Sequence, residues 1–177
     1  MAAIATKKIM PHRTLGLNTH PVLVAAQGTA DTFVAGDPVE FDSGYIGAAD
    51  VTAIGSVGDC IDVSAGIIGF AAEDATTSST AKVGVHVATP NTMFKGQLIT
   101  SETTPALVTI AQTHLGATAT ITKLDTDSVY AVDIGATAIA AEPAVKIVEL
   151  IDPVGTSGGE VGFIVLQTGR NLDVVAS

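Results

Sequence analysis

The 177-residue chain is acidic and rich in small apolar residues, with 18 Asp and Glu against 8 Lys and Arg and a formal net charge of −10. A surface of this sign repels the phosphate backbone that dominates nucleic-acid affinity, which excludes nucleic acid as a partner. The single cysteine, Cys60, cannot close an internal disulfide, so we expect a fold that forms inside a cell. No apolar run approaches the roughly 20 residues of a membrane-spanning helix, so we expect no membrane anchor.

The N-terminal segment differs from the rest of the chain in charge and pattern. Residues 1–30 hold Lys7, Lys8 and Arg13 but no acidic residue, and Pro11 and Pro21 interrupt any period before residue 25. A basic segment without periodicity is typical of an extended arm. We therefore predict an extended N-terminal arm over residues 1–25 and a folded body over residues 26–177.

The body shows the pattern of a β protein. Short runs rich in β-branched residues alternate with turn residues at intervals of roughly ten, which predicts a mainly β fold: a compact antiparallel, jelly-roll-like sandwich or barrel. The clearest strand is Lys82–Ala88, in which Val83, Val85 and Val87 face one way. The other predicted strands are Val22–Ala26, Pro38–Asp42, Val51–Val57, Ile67–Ala71, Gln97–Thr100, Ala117–Leu124, Val129–Ile134, Val145–Ile151 and Val161–Gln167.

One segment breaks the strand pattern. Thr104 can cap a helix, Pro105 suits its first position, and Gly116 suits its C-terminal stop. Leu107, Ala111 and Leu115 recur every four residues, which would place them on one face of a helix. The sequence predicts one short helix over residues 105–115.

The last two predicted strands are apolar on both sides, so both faces must be covered. In a chain with little helix, the cover is a second sheet or another subunit. We therefore predict a homo-oligomer, most simply a trimer, with Val145, Ile147, Phe163 and Val165 at its interface.

The sequence offers no pattern for a metal or a nucleophile. His12, His20, His86 and His114 lack the spacing of metal ligands, and Cys60 lacks the flanking residues of a cysteine nucleophile. The acidic turn Asp125–Asp127 lacks the glycine and the distal glutamate of a calcium loop. We expect no catalytic residue, no cofactor and no metal.

One enzyme alternative stays open. Residues 58–66 resemble the G-x-x-D-x-x-Y-x-G motif of trimeric dUTP nucleotidohydrolases, with Asp62 in the place of the base-activating aspartate. The tyrosine of that motif is missing here, and no later phosphate loop follows. A trimeric β-fold enzyme is therefore the weaker alternative.

Three stretches together resemble the head decoration (cement) proteins of tailed bacteriophages. They are VAGDPVEF at 34–41, IIGFAAED at 67–74 and KVGVHVATPNTMFKG at 82–96, and the resemblance in strand rhythm covers roughly residues 30–168. It implies a structural virion protein without a catalytic site, made in the host cytoplasm. Such a protein binds the outer surface of the capsid and stabilises contacts between copies of the major capsid protein, its partner.

Within that resemblance, we expect the N-terminal arm to bind the capsid. Its apolar and basic residues suit docking into grooves with acidic rims, and they are Ile4, Lys7, Lys8, Ile9, Met10, Arg13 and Leu15. Attachment by the β body instead of the arm stays open. So does another β-domain binding module, glycan-binding or virion-associated, although the chain has no Trp and only Tyr45 and Tyr130.

Overall fold

The computed structural model describes residues 7–14, 22–28, 32–42, 44–53, 59–61, 66–75, 81–100, 105–124, 129–135 and 144–166. The protein is mainly β, which confirms the predicted fold class. The strands of the described residues are β1 Met10–Thr14, β2 Val22–Ala26, β3 Pro38–Asp42, β4 Tyr45–Ala48, β5 Val51–Ala53, β6 Asp59–Ile61, β7 Gly69–Ala71, β8 Lys82–Val87, β9 Thr92–Thr100, β10 Ala106–Leu107, β11 Thr118–Leu124, β12 Val129–Asp133, β13 Val145–Leu150 and β14 Glu160–Val165.

Five strands close into a first barrel, the N-terminal barrel. Its strands follow the order β2-β8-β7-β3-β4 with antiparallel neighbours. A parallel bridge between Gln27 and Ile46 joins β4 back to the end of β2. The barrel encloses an aliphatic core around one phenylalanine, made by Phe33, Val39, Ile46, Ile68, Ala71, Val83 and Val85.

Five later strands close into a second barrel, the C-terminal barrel. Its order is β9-β14-β13-β11-β12, and β12 returns to β9 in parallel through Val132 opposite Leu98. Its core is larger and more aromatic, with Phe94 and Phe163 both fully buried.

The two barrels have the same connectivity and the same register. Within each barrel the strands can be counted from one to five in chain order. The antiparallel pairs are then 1 with 5, 5 with 4, 4 with 2 and 2 with 3, and strand 3 runs parallel to strand 1. The corresponding residue pairs are Val39↔Gly69 and Ala119↔Val145, Gly69↔Val87 and Val145↔Val165, Phe41↔Ile46 and Ile121↔Val132, and Gln27↔Ile46 and Leu98↔Val132. The fold is therefore a tandem repeat of one barrel.

A glycine turn recurs at the start of the second strand of each barrel. Gly36 has φ 94° and Gly116 has φ 85°, a region that L side chains rarely adopt. The Gly36 N–H donates to the Ala71 carbonyl at 2.8 Å, and the Gly116 N–H donates to the Ile147 carbonyl at 2.9 Å. The repeat thus extends to individual hydrogen bonds outside the strands.

Phe70 joins the two barrels. It lies on β7 of the N-terminal barrel but packs into the core of the C-terminal barrel, with ring centroids 4.5 Å from Phe94 and 6.0 Å from Phe163. The hairpin of β5 and β6, which belongs to the N-terminal half, pairs with β11 at Thr122 and Lys123. Each barrel therefore stabilises the other.

The helix predicted over residues 105–115 is wrong. Residues 106–107 form β10, and only residues 112–114 make a single 3₁₀ turn. Ile110 is buried and shares backbone hydrogen bonds of 2.8 Å with Thr156 and Gly155, while Leu107 and Leu115 are exposed. The β-branched residues at 108–110 favour this extended backbone, and its pairing overrides the spacing of the leucines.

Candidate functional site

The N-terminal segment lies on the body of its own chain. β1 pairs antiparallel with the first half of β9, from Met10 opposite Lys95 to Thr14 opposite Thr92. Ile9 is 1% exposed and packs over Gly96, where a Cβ would lie 3.3 Å from its side chain. The backbone is extended, as expected of the arm, but residues 10–14 do not leave the body, because β9 offers an edge for them.

Two carboxylates hold the basic side chains of this segment. Glu149 lies 3.1 Å from the Arg13 guanidinium and 3.2 Å from His12 Nε2. Glu160 lies 3.4 Å from Lys7 Nζ and 3.3 Å from Lys95 Nζ, and its own side chain is only 11% exposed. The basic charge that we assigned to a capsid contact is therefore paired, in part, inside the chain.

The predicted arm residues thus separate into three groups. Ile9 is buried, and Lys7 and Arg13 are in ion pairs. Lys8 and Met10 are exposed. Ile4 and Leu15 lie outside the described residues.

The four residues predicted at an oligomer interface lie in the core of a single chain. Val145, Ile147 and Phe163 are 0% exposed and Val165 is 7% exposed. All four side chains pack in one cluster inside the C-terminal barrel, together with Phe70 of the N-terminal barrel. Their burial needs no second subunit, so a trimer stays a prediction that these residues do not support.

The candidate chemical groups are dispersed. His114 Nδ1 accepts the Ala111 N–H at 3.1 Å, while His12 lies with Glu149 and His86 lies on β8. Within the described ranges no three His, Cys, Asp or Glu side chains gather as metal ligands. His20, Asp62 and the turn Asp125–Asp127 fall outside those ranges, as does the side chain of Cys60.

Asp37 is a partly buried carboxylate between the barrels. Burial raises the pKa of Asp37 above its ordinary value, against the opposing effects of the Val34 N–H, 2.9 Å from Oδ2, and of the nearby Lys123 and Lys8. The adjoining cavity, lined also by Ile9 and Tyr130, has a volume of about 10 Å³. That is room for about one water molecule, so the cavity is no ligand site.

The exposed aromatic residues of β3 and β4 do not form a stacking platform. Phe41 is 40% exposed and Tyr45 is 48% exposed. Phe41 pairs with Ile46, whereas Tyr45 pairs with Asp42, so the two rings lie on opposite faces of the hairpin. This arrangement does not favour the glycan-binding alternative.

Sequence reasoning predicted the strand β2 but did not identify it as a candidate binding surface. In β2, Val22 and Val24 are 53% and 59% exposed, while Leu23 between them packs against the barrel core. Beside them, on β8, the Gly84 N–H donates to Glu73 Oε1 at 2.7 Å. A Val-Gly dipeptide occurs at corresponding positions of β8 and β14, as Val83-Gly84 and Val161-Gly162. This repeat in the sequence is the signal that could have revealed the β2 surface.

Comparison with known proteins adds no relative. No protein-family model matches the sequence, and a search of the curated proteins returns no match.

The 3₁₀ turn of three residues is the only helical element in the described part of the chain, and no helix there could cross a bilayer.

Proposed function

We propose that this chain is a structural virion protein that binds the outer surface of a phage capsid and stabilises contacts between major capsid proteins. The resemblance of residues 34–41, 67–74 and 82–96 to head decoration proteins carries the proposal. These stretches contain β3, β7, β8 and the start of β9, which are strands of the N-terminal barrel and its junction with the C-terminal barrel.

The shape of the chain supports a role in bridging. Two barrels are held together by Phe70 and by the β5–β6 hairpin, so one chain presents two firmly joined bodies of similar build. A rigid bridge between neighbouring subunits loses little conformational entropy when it binds, and many copies on a lattice multiply a modest contact. This role requires binding surfaces and no chemical step.

Cosedimentation with capsids tests the proposal. Purified chain is mixed with heads of the phage whose genome encodes it, prepared without the chain, and the heads are pelleted. We expect saturable binding at a fixed ratio to the major capsid protein and heads that resist heat better. A chain that stays in the supernatant at every concentration, and is absent from mature particles, would refute the function.

A further inference from the structure

The C-terminal barrel shows how a strand docks onto this fold. β1 lies outside the barrel and pairs with the edge of β9, its first strand, at Thr92–Lys95. His12 and Arg13 of β1 reach Glu149. Glu149 lies against Gly162 of β14: a Cβ on that glycine would be 3.4 Å from Glu149 Oε2. The docking site thus combines an edge of the first strand with a carboxylate above a glycine.

The N-terminal barrel carries the same two features. By register, Val24 corresponds to Lys95 and Gly84 corresponds to Gly162. Glu73 lies against Gly84 in the way that Glu149 lies against Gly162, with a distance of 3.5 Å from a Cβ on Gly84 to Glu73 Oε1. The carboxylate and the glycine of the docking site are therefore repeated.

The edge of β2 directs backbone N–H and C=O groups away from β8. The Gln27 N–H donates to Ala81 on the β8 side, and the Gly28 N–H donates to Ile46 on the other side. Because these directions alternate along an antiparallel strand, the N–H and C=O groups of Val22 and Val24 point away from β8. No strand of the described residues pairs with them there.

The side chains of this edge are also uncovered. Met93, which corresponds to Val22, is 3% exposed in the C-terminal barrel, where β1 is docked, whereas Val22 is 53% exposed. An exposed edge with apolar side chains favours pairing with another chain.

We infer that the β2 edge of the N-terminal barrel binds an extended, basic segment of a partner protein by strand addition, with Glu73 receiving its positive charge. Recognition of this kind uses backbone hydrogen bonds for affinity and side-chain contacts for specificity. A second copy of the chain is a poorer occupant, because its own β1 is already paired and its Ile9 is buried. The identity of the partner as the major capsid protein rests on the proposed function.

A peptide with the sequence of residues 7–14, Lys-Lys-Ile-Met-Pro-His-Arg-Thr, is the probe, since it is the strand that fills the corresponding edge. It is titrated into the full isotope-labelled chain, and amide NMR shifts are followed. We expect saturable shifts centred on Val22–Val24 and Glu73, and weaker binding at higher salt. A scrambled peptide of the same composition controls for general attraction to an acidic protein.

Two variants locate the site. Glu73→Gln keeps an oxygen that can accept the Gly84 N–H but removes the charge, and Val24→Pro removes a donor that faces the open edge without breaking a bond to β8. We expect each variant to weaken peptide binding at least several-fold. Asp50→Asn, which makes the same charge change at another exposed acid, should leave it unchanged.

The inference is overturned if the peptide does not bind saturably, if the scrambled peptide binds equally well, or if the shifts lie along β9, which would mean exchange with the chain's own β1. Cosedimentation of the same variants separates this inference from the proposed function. If wild-type chain and both variants bind heads equally, the capsid is not the partner of the β2 edge and the function stands. If the peptide binds at β2 but the wild-type chain does not bind heads, the site stands and the function fails.

Discussion

The two barrels share a backbone plan but differ in what fills and surrounds them. Corresponding core positions hold Val85 and Phe163, or Leu23 and Phe94, so the C-terminal barrel contains the larger side chains and also receives Phe70 from its neighbour. Its first strand is covered by β1, whereas the first strand of the N-terminal barrel is exposed. The same hydrogen-bonded frame therefore serves as a supporting core in one half and leaves a docking edge in the other.

Truncating the core should reveal this division most strongly. Phe163→Ala removes a fully buried ring that contacts both Phe94 and Phe70, and we expect a loss of about 3–5 kcal/mol in the free energy of unfolding. Val85→Ala, at the corresponding position of the N-terminal barrel, removes less and should cost about 1–3 kcal/mol. Chemical denaturation measures both. Equal losses would mean that the C-terminal barrel is not the main core.

The paired glycines give a smaller and more specific contrast. Both Gly36→Ala and Gly116→Ala force a side chain into positive φ, at a cost of about 1–3 kcal/mol. A Cβ on Gly36 would lie 2.7 Å from the Ile9 carbonyl oxygen, whereas a Cβ on Gly116 meets nothing within 4 Å. We expect Gly36→Ala to be the more destabilising and to speed amide exchange in β1. If Gly116→Ala is equally damaging, the contact with Ile9 contributes nothing.

The smallest expected difference is in pH dependence. Because burial raises the pKa of Asp37 above 3.8, the native state retains this proton to higher pH than the unfolded chain does. The stabilisation from protonated Asp37 is therefore present at low pH, and it is lost as pH rises above about 3.8 and through the pKa of the folded state. The C-terminal barrel holds Ala117 at the corresponding position, with no charge to titrate.

Asp37→Asn should remove this loss, so the stability of the wild type relative to the variant should fall as pH rises. Thermal melts across the acid range measure the difference, with Asp50→Asn as the control for a change in net charge. A difference that is constant with pH would show that Asp37 titrates as it does in the unfolded chain.

The positions of strands were readable from local pattern. β2 and β3 occur at the predicted residues, β8, β11, β12 and β13 differ from prediction by one residue at an end, and β14 differs at both ends. Short runs rich in β-branched residues between turn residues mark these strands locally. Single-sequence patterns missed β1, β4 and β6, because these strands are short, mixed in polarity or interrupted by proline.

The tandem repeat was decided by tertiary structure. Of the corresponding strands, only β8 and β14 share residues, at Val83-Gly84 and Val161-Gly162 and again at Val87 and Val165. Backbone pairing depends on hydrogen bonds that every residue except proline can donate and accept, so the same register persists where Phe41 stands for Ile121 or Phe70 for Lys146.

Composition and alternation by themselves determined that this chain is an acidic β protein with a basic, extended N-terminus. Which edge that N-terminus covers, and which edge it leaves open, was decided only by the fold. Strand addition brings together residues far apart in the chain, such as Arg13 and Glu149, and no local period records such a contact. The burial of Val145 and Phe163 followed the same rule, because their apolar character predicted a cover but only the packing of the strands and barrels showed that the chain supplies it.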